Sequence, residues 1–336
     1  MEEFINQAAR RVAVVFPGQG SQFVGMGRDI YEASAAARRV FHQAEEALGI
    51  DLRRICFEGP EELLRETINA QPAILTVSIA SWEALKEMWT GVGEAVQPKF
   101  FAGHSLGEFS ALVAAGSIEF REAVRLVRER GRLMKEEGDR NPGGMAAVIG
   151  LDDQALEDVC SDVSRHGIVR PANYNSPGQT VISGELAALT AAIELAVERG
   201  ARKVVRLAIS IASHSPVMRI AGEHFSHAVA LVGLTDAKVP VIANMSAKAI
   251  TSTEDIRREL IDQITGSVRW SQSIRAMAEE GVHTIIEIGP GEVLSGISRR
   301  VTRDVQSFSV NSMEAIRQFP ALLQELENRR MRTVAT

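Results

Sequence analysis

The Gly-x-Ser-x-Gly stretch at residues 103–107 constrains this chain more than any other feature of its sequence. An apolar run that begins near Lys99 precedes it, and the stretch from Phe109 to Ala115 behind it is rich in helix formers. The pattern predicts a strand, a sharp turn and a helix with a serine at the apex, which is the context of a nucleophile elbow. Such a pentapeptide also occurs by chance, but the flanking strand and helix patterns favour the elbow.

The elbow would hold the Ser105 hydroxyl above the sheet, where it can act as a nucleophile. Gly103 and Gly107 remove side chains where strand and helix crowd together, so that the serine backbone can hold a strained conformation. The backbone N–H of Leu106 and the start of the following helix would direct positive charge to the same place. Ser105 is therefore the predicted nucleophile, and Leu106 is a predicted backbone donor beside it.

Composition and charge exclude several classes of protein. The chain has 336 residues, 45% of them hydrophobic, and a net charge of −6. These values predict one large or two coupled folded domains and argue against a general nucleic-acid binder. Two cysteines, Cys56 and Cys160, are too few for a disulfide framework and indicate a reducing compartment. Apolar runs are too short to span a membrane, and the acids after Met1 are unlike a signal peptide, so we expect a cytoplasmic protein.

A second glycine-rich turn follows the first predicted strand, which runs from Arg11 to Phe16. A dinucleotide fingerprint fails there because Phe23 stands where a glycine is needed, and no Gly-Lys-Ser/Thr follows for a phosphate loop. Two interpretations remain for this turn. It is either a loop that approaches a ligand at the edge of the sheet, with Gln19 as its amide side chain, or a plain surface turn.

Amphipathic patterns predict packing helices from Ile30 to Leu48 and from Ala73 to Trp89, with a loop at 91–97. A further helix is predicted over residues 120–134, and Arg130 shares its apolar face with Ala123 and Met134. An inward guanidinium needs a partner, because an unpaired buried charge is costly. That partner is an acid of the protein or an anionic substrate, unless the side chain reaches solvent.

Residues 141–208 have the pattern of a small domain inserted into a larger one. Their predicted elements run strand, helix, strand, strand, helix, strand, which is the order of a ferredoxin-like module. Strands that end in glycine turns and feed helices resume after it and indicate a mostly parallel α/β sheet. We therefore predict a larger domain from residues 1–140 and 209–336 and a second domain from residues 141–208.

Among the seven histidines of the chain, His214 is the strongest candidate for the base that a serine nucleophile requires. It stands at a predicted strand-to-helix junction downstream of Ser105, as in the chain order of hydrolases. His104 adjoins the nucleophile, so its side chain should diverge from it. His224 and His227 lack a third metal ligand, so no metal site is predicted and a solvated helix face is favoured. No acid stands at an obvious third position, which indicates a dyad oriented by an amide or a backbone carbonyl.

Seven motifs occur here in the order in which one family carries them. They are Gly18–Gln22, Gly103–Glu108, Arg130-Gly131 with Met134, Asn173–Gln179, Ser213-His214, Val268–Trp270 and Gly289–Gly291. From about Val12 to Arg300 the chain resembles the malonyl-CoA:acyl carrier protein transacylases of fatty acid synthesis and the acyltransferases of polyketide synthases. The resemblance implies an α/β-hydrolase-like domain with a ferredoxin-like insertion.

The resemblance also implies roles for individual residues. Ser105 would be acylated, His214 would act as base and then as acid, and Arg130 would bind the free carboxylate of a malonyl group. The backbone N–H groups of Gln19 and Leu106 would form an oxyanion hole. The backbone carbonyl of Gln263 would hold the Nδ1–H group of the histidine. Further matched positions are expected to line the pocket: His104, Met134, Ser213, Asn173 and Asn244.

The implied activity is a ping-pong transfer of a malonyl group from malonyl-CoA, through a Ser105 ester, to the phosphopantetheine thiol of an acyl carrier protein. We expect no bound cofactor, no nucleic-acid or membrane partner, and a monomer. Two other interpretations stay open. A proofreading thioester hydrolase would share Ser105 and His214, although Arg130 argues against it. A methylmalonyl-preferring acyltransferase is the second, because Ala212-Ser213-His214 matches part of a tetrad seen in such enzymes.

Overall fold

A computed structural model describes residues 11–88 and 98–321, and these residues form two separate β-sheets with helices around them. In chain order the strands are β1 (Val12–Phe16), β2 (Phe100–Gly103), β3 (Gly143–Ile149), β4 (Val169–Ser176), β5 (Gln179–Glu185), β6 (Lys203–Arg206), β7 (Val241–Ile242), β8 (Ala249–Ile250), β9 (Thr284–Ile288) and β10 (Gln306–Val310). The predicted loop at 91–97 lies outside the described residues.

The helices surround both sheets and connect most of the strands. They are α1 (Arg28–Ala33), α2 (Ala35–Leu48), α3 (Leu52–Glu58), α4 (Glu61–Arg65), α5 (Thr67–Met88), α6 (Gly107–Ala114), α7 (Phe120–Arg140), α8 (Asp153–Asp162), α9 (Leu186–Glu198), α10 (Arg219–Leu231), α11 (Thr253–Asp262), α12 (Trp270–Glu279) and α13 (Val293–Val301). Short 3₁₀ turns lie at Ser164–His166 and Pro216–Met218. None of the described helices is long and apolar enough to cross a membrane.

The larger sheet has the strand order β10-β9-β1-β2-β7-β8, and all neighbouring strands are parallel except β7 and β8. Its central strand β1 is a run of apolar residues that is buried on both faces, as expected for a parallel sheet covered by helices. Val14 and Phe16 face one core cluster, and Ala13 and Val15 face the other, since successive side chains of a strand alternate between faces.

The smaller sheet has the order β4-β5-β3-β6 and is antiparallel throughout. Helices α8 and α9 pack a cluster of their own against it, with Ile182 and Leu189 fully buried. Strand order and element order are those of a ferredoxin-like module, and together with the parallel sheet they confirm the predicted fold class. The proposed domain boundaries at residues 141 and 208 stay predictions, and the four strands of this sheet fall between them.

Several helix and strand limits differ from the predicted ones. Ser34 interrupts the helix predicted from Ile30 to Leu48, because its hydroxyl accepts a hydrogen bond from the Ala37 N–H and so starts a new helix. Helix α5 begins at Thr67, six residues before the predicted start at Ala73, and contains Pro72. Trp89, the predicted helix end, lies outside the described residues. Strand β10 was missed, because its sequence Gln-Ser-Phe-Ser-Val has little continuous apolar character.

Candidate active site

Ser105 lies at the turn between β2 and α6 and has a positive φ of 51°, which is uncommon for a residue with a side chain. The two flanking glycines explain how the turn fits. A Cβ at Gly103 would overlap the backbone of Gly107, and a Cβ at Gly107 would overlap the carbonyl oxygen of Phe16. The sharp strand-to-helix turn that the pentapeptide predicts is therefore present, with the partly buried serine at its apex.

His214 lies against the serine from a different part of the chain, 109 residues further on. Its Nε2 is 2.7 Å from the Ser105 Oγ, and its Nδ1 is 2.9 Å from the backbone oxygen of Gln263 and 3.0 Å from that of Gly266. Carbonyl oxygens only accept hydrogen bonds, so Nδ1 carries the proton and Nε2 is left to accept the serine proton. The predicted contact with Gln263 is present, whereas the second carbonyl, of Gly266, was not anticipated.

The imidazole of His214 is held in its neutral form. The side chain is 3% exposed. Burial first, and then the positive charge of Arg130, lower its pKa to about 3, although the Gln263 carbonyl opposes the shift. A neutral imidazole is the form that can accept a proton from a serine hydroxyl.

Arg130 points from α7 into the same site and is 2% exposed. Its Nη1 donates to Gln71 Oε1 at 2.9 Å, and its Nη2 donates to Gln263 Oε1 at 3.0 Å and to Ser105 Oγ at 3.2 Å. Its Nε has no hydrogen-bond partner within the described residues. Every partner is an amide or a hydroxyl, so no carboxylate of the described chain contacts this buried charge. Burial lowers its pKa to about 10, and the nearby charge of Glu108 only partly offsets this.

Glu108 is a buried acid that was not among the predicted site residues. It is fully buried; one carboxyl oxygen accepts from the Asn244 backbone N–H at 2.9 Å, and the other accepts from Gln263 Nε2. Burial, together with the acid Glu259, raises its pKa well above the ordinary range of a glutamate. Its position one helical turn after Ser105, among apolar residues of α6, was the available signal in the sequence.

The predicted oxyanion donors belong to two loops that pack against each other. Gly18 packs against the carbonyl oxygen of His104, where a Cβ would overlap it, and this contact holds the Gln19 loop beside the elbow. Within the described residues, the backbone N–H groups of Gln19 and Leu106 have no acceptor. The N–H of Ser105, by contrast, donates to Asn244 Oδ1 at 2.7 Å. Two backbone donors without an acceptor are therefore present, one in the loop beside the elbow and one directly after Ser105, and their role as an oxyanion hole stays a prediction.

The remaining predicted pocket residues differ in what they contact. Asn244 is buried and binds the elbow, since its Nδ2 donates to the Gly103 carbonyl at 2.7 Å. The His104 ring diverges from the serine, contacts Trp270 and lies 2.9 Å from Asn175 Oδ1. Met134 lies with its sulfur 3.6 Å from Gln71 Nε2. The side chains of Asn173 and Ser213 make no hydrogen bond to Ser105, His214 or Arg130 in the described chain.

The other histidines and the cysteines lie apart from this site. His224 and His227 are exposed on α10. Across residues 11–88 and 98–321, no cluster of three His, Cys, Asp or Glu side chains is arranged to hold a metal ion. Cys56 and Cys160 are buried and unpaired.

Comparisons with known proteins agree on one family. Residues 13–333 match the family model of the acyl transferase domain. The malonyl CoA-acyl carrier protein transacylase of Bacillus subtilis is 46% identical over 91% of this chain and 95% of its own length. The crystal structure of an acyl carrier protein S-malonyltransferase from Vibrio cholerae has a TM-score of 0.88 and 39% identity, and the match covers 92% of this chain and 99% of that one. A malonyl-transacylase solved in complex with a type II PKS acyl-carrier protein has a TM-score of 0.87 and 38% identity, covering 92% and 98%.

Proposed function

Because the chain belongs to the acyl transferase family, among the malonyl CoA-acyl carrier protein transacylases, we propose that it moves a malonyl group from malonyl-CoA to the phosphopantetheine thiol of an acyl carrier protein. The group would be carried as an ester on Ser105. The chain is thus an acyl carrier protein S-malonyltransferase, and its own residues suggest how each step proceeds.

In the first half-reaction, the Ser105 oxygen attacks the thioester carbonyl of malonyl-CoA. His214 Nε2 lies 2.7 Å from that oxygen and accepts its proton. The backbone N–H groups of Gln19 and Leu106 donate to the oxyanion of the tetrahedral intermediate. The imidazolium then returns its proton to the departing CoA sulfur, which leaves a malonyl-serine ester and free CoA.

Selection for malonyl rests on Arg130, and the observation that carries the proposal is the buried guanidinium with only amide and hydroxyl partners. A charge in that position is stabilised most by a carboxylate that binds two of its N–H groups. Since Arg130 Nη2 is already 3.2 Å from the Ser105 oxygen, a carboxylate on an acyl group held by that oxygen lies within hydrogen-bonding reach of the guanidinium.

In the second half-reaction, the phosphopantetheine thiol attacks the malonyl-serine ester, and His214 accepts the thiol proton. Collapse of the intermediate returns that proton to the Ser105 oxygen and releases the malonyl thioester of the carrier. The chain needs no bound cofactor for this chemistry, because the prosthetic arm belongs to the acceptor. The pathway served, fatty acid or polyketide synthesis, follows from the carrier that the protein accepts.

A cytoplasmic location and a monomeric state complete the proposal. Two buried free cysteines are compatible with a reducing compartment. Size-exclusion chromatography with light scattering measures the oligomeric state, and fractionation of the source cells measures the location.

The deciding experiment is the intact mass of the pure protein after incubation with malonyl-CoA, methylmalonyl-CoA or acetyl-CoA, without a carrier. We expect a stable malonyl adduct, absent from the Ser105→Ala variant, and loss of the adduct when an acyl carrier protein with its phosphopantetheine arm is added. A greater fraction of protein modified by methylmalonyl than by malonyl would identify the methylmalonyl-preferring enzyme instead. Rapid release of free CoA without any adduct would identify a hydrolase and refute the transferase.

A further inference from the structure

A continuous chain of hydrogen bonds connects Arg130 with the loop that carries Gln19. Arg130 Nη1 donates to Gln71 Oε1 at 2.9 Å, and Gln71 Nε2 donates to Thr67 Oγ1 at 2.8 Å. Thr67 Oγ1 in turn donates to Gln19 Oε1 at 3.0 Å. Two side chains of α5 therefore lie between the group that would bind the malonyl carboxylate and the loop that would supply an oxyanion donor.

The guanidinium sets the donor-to-acceptor direction of every hydrogen bond in this series. Arginine can only donate, so the oxygen of the Gln71 amide must face Arg130 and its nitrogen must face Thr67. The Thr67 oxygen therefore accepts from Gln71, and its single proton is left for the Gln19 amide oxygen. A residue without a hydroxyl at position 67 would break both of the bonds that Thr67 makes.

The backbone at this point is also fixed. Gly131 follows Arg130 on α7, and a Cβ at Gly131 would lie 2.7 Å from the Thr67 carbonyl oxygen. Helix α7 thus packs directly on the start of α5, and Thr67 itself is 5% exposed. Because Thr67 lies at this contact and its hydroxyl is buried between two amides, solvent is poorly placed to replace it.

We propose that Thr67 is a positioning residue that fixes the carboxylate-binding arginine and the oxyanion loop relative to each other, an inference that rests on the function proposed above. Through Gln71 it orients the guanidinium that receives the malonyl carboxylate. Through the Gln19 side chain it holds the loop whose backbone N–H is the proposed oxyanion donor. Loss of its hydroxyl should therefore reduce both the preference for malonyl and the rate of acylation by any acyl group.

The test compares Thr67→Val with Thr76→Val, a matched control on the same helix. Thr76 is fully buried, and its hydroxyl has no hydrogen-bond partner in the described residues, so its replacement removes a hydroxyl without breaking a bond. Thr67→Ser restores the hydroxyl and tests for rescue. Formation of the acyl-enzyme is followed by quenched-flow intact mass with malonyl-CoA and with acetyl-CoA, giving kcat and KM for each.

For Thr67→Val we expect the maximal acylation rate to fall about tenfold with both donors, and the ratio of kcat/KM for malonyl over acetyl to fall about tenfold, as expected for the loss of one buried hydrogen bond per branch. Thr67→Ser and Thr76→Val should stay within about threefold of the wild type. Wild-type values in Thr67→Val, an equal loss in Thr76→Val, or no rescue by serine would overturn the inference. If Thr67→Val does not fold, Thr67→Ala is judged by the same criteria. A wild-type protein that forms no malonyl adduct would refute the proposed function itself.

Discussion

Replacement of Arg130 by alanine should remove the preference for malonyl over acetyl donors. Burial lowers the pKa of this guanidinium from the ordinary value of an arginine to about 10. At about 1.4 kcal/mol for each pKa unit, the charged form is about 3 kcal/mol less favourable here than in water. A malonyl carboxylate that pairs with the guanidinium would recover a free energy of this order, and an acetyl group would recover none. At ~1.4 kcal/mol for each factor of ten, the preference attributable to Arg130 is about a hundredfold.

The assay measures kcat/KM for acylation of Ser105 by malonyl-CoA and by acetyl-CoA in the wild type and in Arg130→Ala. We expect the malonyl value to fall about a hundredfold relative to the acetyl value, because only malonyl presents a carboxylate. Arg128→Ala is the matched control. Arg128 lies two residues earlier on α7, is partly buried and has an Nη1 without a partner in the described chain, but it makes no contact with Ser105 or His214.

Loss of the Arg130 side chain also leaves the amide oxygens of Gln71 and Gln263 without their donor, so stability has to be followed as well. Thermal unfolding monitored by circular dichroism separates a folding defect from a loss of selectivity. A folded Arg130→Ala protein that keeps the wild-type malonyl-to-acetyl ratio would refute the assignment of Arg130 as the carboxylate-binding residue.

Three further predictions follow from the same site. The pKa of His214 is about 3 in the folded protein and 6.5 in an ordinary histidine, so the unfolded chain binds an extra proton between these pH values. The free energy of unfolding should therefore fall as the pH drops through this range, by up to ~1.4 kcal/mol per pH unit. His214→Gln should flatten that fall in urea titrations at pH 6 and pH 4, and an equal slope in both proteins would contradict this prediction. The acylation rate should stay constant from pH 8 to pH 5, whereas a midpoint near 6.5 in stopped-flow measurements would contradict the low pKa. In thermal melts, Gly107→Ala should lower the free energy of unfolding by more than ~4 kcal/mol, because its Cβ would overlap the Phe16 carbonyl. The control Gly296→Ala in α13 should be neutral or stabilising, because a Cβ there meets nothing closer than 4.0 Å.

The sequence by itself determined the local features of this protein. The pentapeptide at 103–107 with its apolar strand and its helix predicted the sharp turn at Ser105, because steric crowding at such a turn requires glycines at fixed positions. Helical spacing placed Arg130 on the inner face of α7, and the alternation of elements predicted both sheets. All of these features depend on residues that are near one another in the chain, where periodicity reports the face on which a side chain lies.

Only the tertiary structure decided which groups meet across long separations. Periodicity required a partner for Arg130 but could not choose between a protein acid and a ligand; the fold supplied Gln71 and Gln263, 59 and 133 residues away. It also placed Glu108 behind the site and Thr67 between Arg130 and Gln19; the apolar neighbours of Glu108 in the sequence indicate its burial, but no local pattern marks the hydrogen-bond partners of either residue. The physical reason is that hydrogen bonds between distant segments depend on how helices and strands pack in three dimensions, and the spacing of residues along one chain does not specify that packing.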